Sequence, residues 1–155
     1  MGLKWSADNI GGWQNHFKRL ERWRKRVLDS MEDTSKSNFH DVNDFVLAYF
    51  MWCHSLRDWL IKSEAMDRAE LDRELGQFVE WAICRDIANR NRHFKITQNP
   101  RDKDWSIHRE YDWQAKVENR PERHRLLVVS DDRIFVVDDL VNRTFEMWQK
   151  IVKLD

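Results

Sequence analysis

Apolar side chains recur at the spacing of a single helix face in three successive stretches of this chain, and such stripes have no stable place except against one another. The first stretch, Trp13, Phe17, Leu20, Val27, Leu28 and Met31, predicts a helix over about 13 to 32 with Arg and Lys on its other face. The second, Phe45, Val46, Tyr49, Phe50, Trp52, Cys53, Leu56, Trp59 and Leu60, predicts a central helix capped by Asp41 and running to about Lys62. The third, Leu71, Leu75, Phe78, Val79, Ala82, Ile83 and Ile87, predicts one continuous helix that ends near His93, before the turn-prone NPRDKD.

The pattern then changes. RLLVVSDDRIFVV reads as two short strands around a polar turn, and DDLVNRTFEMWQKIVKLD as a last amphipathic helix with Leu140, Val141, Phe145, Trp148, Ile151 and Val152 inward. The expected fold class is mainly α (α+β). It is a bundle of about four helices with a small antiparallel β hairpin or sheet before the C-terminal helix. One domain is expected over 1–155, with the β insertion at about 105 to 137 and the stretch from about 98 to 124 the least regular.

Hydrophobic residues at 41% and charged residues at 35%, with few Gly or Pro, describe a chain able to build a core. Basic and acidic residues balance at 27 each, so no general affinity for polyanions is expected and any nucleic-acid contact must be local. Cys53 and Cys84 fall inside helices and the start MGLKWSADNI has no apolar signal core, so a reduced, cytoplasmic protein is expected. No apolar run is long enough for a membrane span; the Met-Gly start with Ser6 is a low-specificity match to an acylation pattern. Dinucleotide, P-loop and hydrolase-elbow motifs are missing from a sequence with only 4 glycines, and no cofactor or metal is expected.

The segment CRDIANRNRHFKIT puts polar side chains where a core-facing helix should carry apolar ones. At about 100° per residue, Asp86, Asn89 and His93 share the arc of Leu71, Leu75, Phe78 and Ala82, with Arg85 at its edge. Arg24 falls within the first stripe and Arg57 at the border of the second, so three helices are expected to meet in one polar cluster. One reading is structural: Asp86 forms a buried ion pair with Arg24 or Arg57. The other is a cleft in which arginines hold a phosphate, His93 moves a proton and Asn89 orients the substrate or the imidazole, chemistry suited to RNA cleavage without metal.

A helix bearing LRDWL, a following helix ending in CRDIANRNRHFKI, a small strand region and a last helix with FEMWQKI together resemble uncharacterised bacterial helical-bundle proteins of the HEPN-like type, loosely over residues 41–153. The resemblance implies an RNA-directed protein, whose catalytic form is a metal-independent endoribonuclease of a toxin or defence type acting in the cleft of a homodimer. It implies Arg85 followed by polar Asp86 as the Arg-polar pair and His93 as the His, with seven residues between Arg85 and His93, a longer spacing than the family's. Arg85, Asn89 and His93 are the candidate catalytic residues; Arg24, Arg57 and Arg92 are the candidates for holding substrate.

Other patterns carry blander expectations. His54 and Asp58, at i and i+4, are expected to point to solvent, and the cysteines to pack as small hydrophobes. Among nine tryptophans, Trp23, Trp52, Trp59, Trp81 and Trp148 are expected in the core or at helix interfaces, Trp105 and Trp113 as exposed platforms for bases or a protein. The run HFKRLERWRKR sets Lys18, Arg19, Arg22, Lys25 and Arg26 on the polar side of the first helix, either a solvated face or a place for RNA. Two function classes follow: an RNA-directed enzyme, and a non-catalytic protein-interaction module around a structural polar network.

Overall fold

The computed structural model describes residues 11–92 and 104–153. Within them lie α1 (Gly12–Met31), α2 (Phe39–Lys62), α3 (Arg68–Leu75), α4 (Val79–Arg92), α5 (Trp113–Glu118) and α6 (Val137–Val152), with strands β1 (Ser106–Glu110), β2 (Arg125–Ser130) and β3 (Arg133–Val136). The protein is mostly helical, with a small antiparallel sheet of order β1-β2-β3 ahead of the last helix, as the periodicity predicts.

Three local features differ from the sequence expectation, each for a physical reason. The cap of α2 is Asn38 and not Asp41: its side chain accepts from the Asp41 backbone N–H at 2.9 Å and donates back to the Asp41 carboxylate at 2.8 Å. Asp41 is thus the reciprocal partner in the first turn, where a negative charge favours the helix dipole. The third helix is divided. Its first part starts at Asp67, which accepts from Glu70 N–H at 3.1 Å, and it closes where Gln77 and Phe78 N–H bond the carbonyls of Glu74 and Leu75 in tightened turns. Angular phase carried from Leu71 and Leu75 therefore stops at Phe78, and α4 has its own. Of the stretch expected to be least regular, residues 104–124 are described: they hold β1, inside the expected β insertion, and the short α5, which the spacing does not predict and which is ended by Asn119 in a left-handed conformation.

One hydrophobic cluster joins α1, α2, α3, α4, α6 and the inner face of the sheet. α2 runs through its middle and packs on α1, α4 and α6. Leu20, Val46, Phe50, Leu56, Ile87 and Trp148 are fully enclosed, each worth roughly 2 to 3 kcal/mol in area removed from water. The polar ends of the buried aromatics are satisfied: the Tyr49 hydroxyl donates to the Val141 carbonyl at 2.8 Å, and Trp148 Nε1 donates to the Cys53 carbonyl at 3.1 Å.

Leu126, Val128 and Phe135 point from the sheet into this core, while Ile134 and Val136 are exposed. Residues Asp131 and Asp132, both with positive φ, make the two-residue turn between β2 and β3, a conformation that matches strand twist. The stretch before β2 is fastened to the α1–α2 connection: His124 N–H donates to Met31 O and Thr34 N–H to Glu122 O, both at 2.8 Å. Among the described residues no helix is long and apolar enough to cross a membrane.

Candidate functional site at the end of helix α4

α4 is enclosed over a wide arc, with Glu80, Trp81, Ile83, Cys84, Asp86, Ile87 and Ala88 all buried. Asp86 turns inward as expected, at 1% exposure. Its Oδ1 lies 3.6 Å from Nε of Arg85, whose side chain is 37% exposed and reaches the surface. Asn89, one turn on, is half-buried. The end of α4 thus offers a cation at the surface backed by a buried carboxylate, with an amide beside it. Arg92 closes the helix, and the candidate His93 and the Arg92 side chain lie outside the described residues.

Arg24 and Arg57 are elsewhere, which corrects the expected three-helix cluster. Arg24 donates through Nε to the Asn142 side chain at 2.8 Å and lays its guanidinium 4.8 Å from the centre of the Phe145 ring, so it ties α1 to α6. Arg57 grips Asp72 through two hydrogen bonds, 2.6 and 2.8 Å, and so ties α2 to α3. This bond pulls the Asp72 carboxyl below its ordinary range and raises Arg57. Asp86 is paired in the structure with Arg85, not with Arg24 or Arg57. For Arg57 the cause is the break at residues 76–78, which puts α3 and its Asp72 beside α2; for Arg24 it is the packing of α1 on α6.

No family model, curated protein or solved structure matches this chain.

Three polar centres escaped the sequence reading. The buried His16 falls on the apolar stripe between Trp13 and Leu20, which was a legible signal. Its ring stacks on Trp59 at 4.9 Å, and Nε2 is 3.1 Å from the Trp52 carbonyl, which can only accept. Nε2 therefore carries the proton and Nδ1 faces Arg19 at 3.4 Å. Burial, assisted by Arg19, lowers the His16 pKa to about 4 against the pull of the Trp52 carbonyl, so the ring is neutral at pH 7. Ser55 Oγ lies 2.9 Å from Nε2, yet its own proton goes to the Trp52 carbonyl at 3.0 Å. A protonated Nε2 cannot activate that hydroxyl, so the pair is structural and no nucleophile–base dyad.

The second centre is the Glu80–Arg143 ion pair, which joins α4 to α6. The third is Asp112 with Arg120, which brackets α5.

His54, expected at the solvent, instead lies flat on Trp81, ring centres 5.1 Å apart and 11° from parallel, while Asp58 is exposed beside Arg57 at 3.3 Å. Both cysteines are buried and free, and burial pushes the Cys84 thiol well above its usual range, as suits a packed hydrophobe. Among the described residues no three His, Cys, Asp or Glu side chains converge as metal ligands would. Trp105 is half-buried, unlike the exposed platform expected, whereas Trp113 stands out at 71% exposure.

Proposed function

We propose that the protein is RNA-directed and HEPN-like, with the end of α4 as a metal-independent endoribonuclease site. The observation that carries this reading is the row on α4: buried Asp86 behind surface-reaching Arg85, with half-buried Asn89 one turn further. In this reading Arg85 and Arg92 hold the scissile phosphate and stabilise the charge that grows on it. His93 takes the proton of the 2′-hydroxyl, the 2′-oxygen bonds to phosphorus, and the 5′-oxygen leaves with a proton, giving a 2′,3′-cyclic phosphate. Asn89 orients the imidazole or the ribose. Arg24 and Arg57, already engaged with Asn142 and Asp72, hold helices together and take no part. Two copies meet at their α4 ends to complete the cleft.

The test is incubation with RNA in EDTA. Cleavage to cyclic-phosphate ends is expected from the wild type, and its loss is expected in His93→Ala with the melting curve unmoved. RNA left equally intact by both proteins overturns the reading, and a monomer by light scattering at tens of micromolar, a common interface affinity, overturns its dimeric form.

A second reading, a non-catalytic interaction module, is favoured by one feature. Tyr111, Trp113 and Val117 are exposed at 42%, 71% and 88%, and Tyr111 and Trp113 meet edge to face at 4.6 Å. Large aromatics fixed in the open are the residues that anchor protein partners.

A further inference from the structure

We infer a binding surface for single-stranded nucleic acid along the shoulder between α1 and α2, separate from the α4 residues and independent of whether they cleave. In a chain of zero net charge, α1 carries six cations, Lys18, Arg19, Arg22, Arg24, Lys25 and Arg26, against two acids, Glu21 and Asp29. One of those acids is already engaged, Asp29 with Lys25 at 2.5 Å. Two of the cations are used by the fold across a helix interface, Arg24 on Asn142 and Phe145 and Arg19 on Trp52. Lys18, Arg22, Lys25 and Arg26 are exposed.

The arginines are interleaved with aromatic rings. The Arg19 guanidinium sits 5.0 Å from the centre of the Trp52 ring, and that of Arg26 lies 4.7 Å from Trp23. Both tryptophans are half-buried, so each is rooted in the α1–α2 interface with part of its surface in water; Trp23 leans on Phe45 and Trp52 on His16. Arg19, Arg22 and Arg26, at i, i+3 and i+7, share one helix face and span roughly 10 Å of α1. Stacked guanidinium and indole planes take unpaired bases, and the free cations beside them take the phosphates. A duplex offers no base faces to such planes, which selects single strands. Polyanion against a local excess of cations is the complementarity that fixes the class of partner.

The experiment is fluorescence anisotropy with labelled oligouridine and oligothymidine of about 12 nucleotides, a length within the usual single-strand site range, beside an RNA duplex of equal length. The wild type is expected to bind the single strands, with a log-log salt slope near −3 if about four phosphates are neutralised. The two single-stranded arms separate RNA from DNA as the source of the same chemistry. Lys18→Glu with Arg22→Glu changes exposed side chains and is expected to weaken binding at least tenfold while circular dichroism stays unchanged. Trp52→Leu is expected to weaken it as well, and Lys150→Glu, which changes an exposed side chain on α6, to leave it within about twofold. No binding by the wild type, equal binding of the duplex, or unchanged affinity of the charge-reversed variant each overturns the proposal, the last leaving the shoulder to a protein partner. Oligouridine held at the shoulder but not cut sinks the cleavage reading alone.

Discussion

The Arg120 guanidinium donates two hydrogen bonds to the carboxylate of Asp112, at 2.6 and 3.1 Å, although Asp112 is only 1% exposed. The Arg123 backbone N–H adds a third at 3.0 Å. One enclosed anion therefore ties the residue before α5 to the two arginines that follow it, and α5 keeps its place although it is too short to be stable alone.

Hydrogen bonding from Arg120 lowers the Asp112 pKa from 3.8 to about 2. A carboxyl lowered in the folded state adds stability that is fully present above its unfolded pKa and is lost as pH falls through the folded value. The melting temperature is thus expected to drop between about pH 4 and pH 2, and less steeply in Asp112→Asn, which has no charge to lose. At pH 7 that variant should be less stable by about 2 kcal/mol, the scale of hydrogen bonds to a charged group. Urea titrations at several pH values check both statements, and parallel acid limbs for the two proteins would remove Asp112 as the cause.

His16 produces a second pH effect in a different window. Its pKa is about 4 in the fold against 6.5 for the free side chain, because burial opposes the charged ring. The unfolded chain binds the extra proton first, so stability rises with pH from about 4 to 6.5 and is complete above that range. A shift of this size corresponds to about 3 kcal/mol across the window. His16→Gln is expected to flatten the rise between pH 4 and 6.5 while leaving the loss below 4 that belongs to Asp112. NMR titration of the His16 ring should place its midpoint near pH 4, well below the 6.5 of a free imidazole.

What the sequence made legible was periodic. The stripes of α1, α2 and α6 and the turn between β2 and β3 follow from local spacing, and burial enforces what spacing suggests. The division of the third helix was hidden, because Gly76 keeps right-handed backbone angles and Phe78 sits on the apolar spacing; only the Gln77 and Phe78 hydrogen bonds reveal the break. That break accounts for Arg57, which meets Asp72 on α3 instead of Asp86. Asp86 itself was placed correctly, since its inward turn depends on Ile83 and Ile87 within α4 alone. The partners of Arg24 and Arg120 are set by tertiary placement or by a loop: Asn142 is 118 residues away, and Asp112 is joined to Arg120 around α5. His16 was readable by position and was passed over because a histidine on an apolar stripe carries no motif.

The aromatic patch on α5 contributes little to folding, because its side chains stand in water. Trp113 and Val117, at 71% and 88% exposure, lie one turn apart, and replacing both by Ser should change stability by no more than about 0.5 kcal/mol. Self-association or partner capture through this face should weaken in the same variant. A loss of several degrees in melting temperature would instead show that the patch packs against something in the folded chain.

Asp86 offers the sharpest test of the site geometry, because the two arrangements differ in which mutations couple. With Asp86 enclosed beside Arg85, Asp86→Ala removes a buried carboxylate and should cost about 2 to 3 kcal/mol, whereas Asp58→Ala, at 57% side-chain exposure, should cost under about 1. Arg24→Ala should carry its own cost through Asn142 and Phe145, and Arg57→Ala a cost near 1 kcal/mol through its surface bond to Asp72. Side chains that share no partner add, so the double variants Arg24→Ala with Asp86→Ala and Arg57→Ala with Asp86→Ala are expected to equal the sums of the singles within about 0.5 kcal/mol. Arg85→Ala with Asp86→Ala should fall short of additivity, since removing either group already breaks their contact. Urea unfolding of the eight variants, the Arg85→Ala single among them, measures all of these terms. A coupling above about 1 kcal/mol between Asp86 and Arg24 or Arg57 would mean that the three helices converge after all.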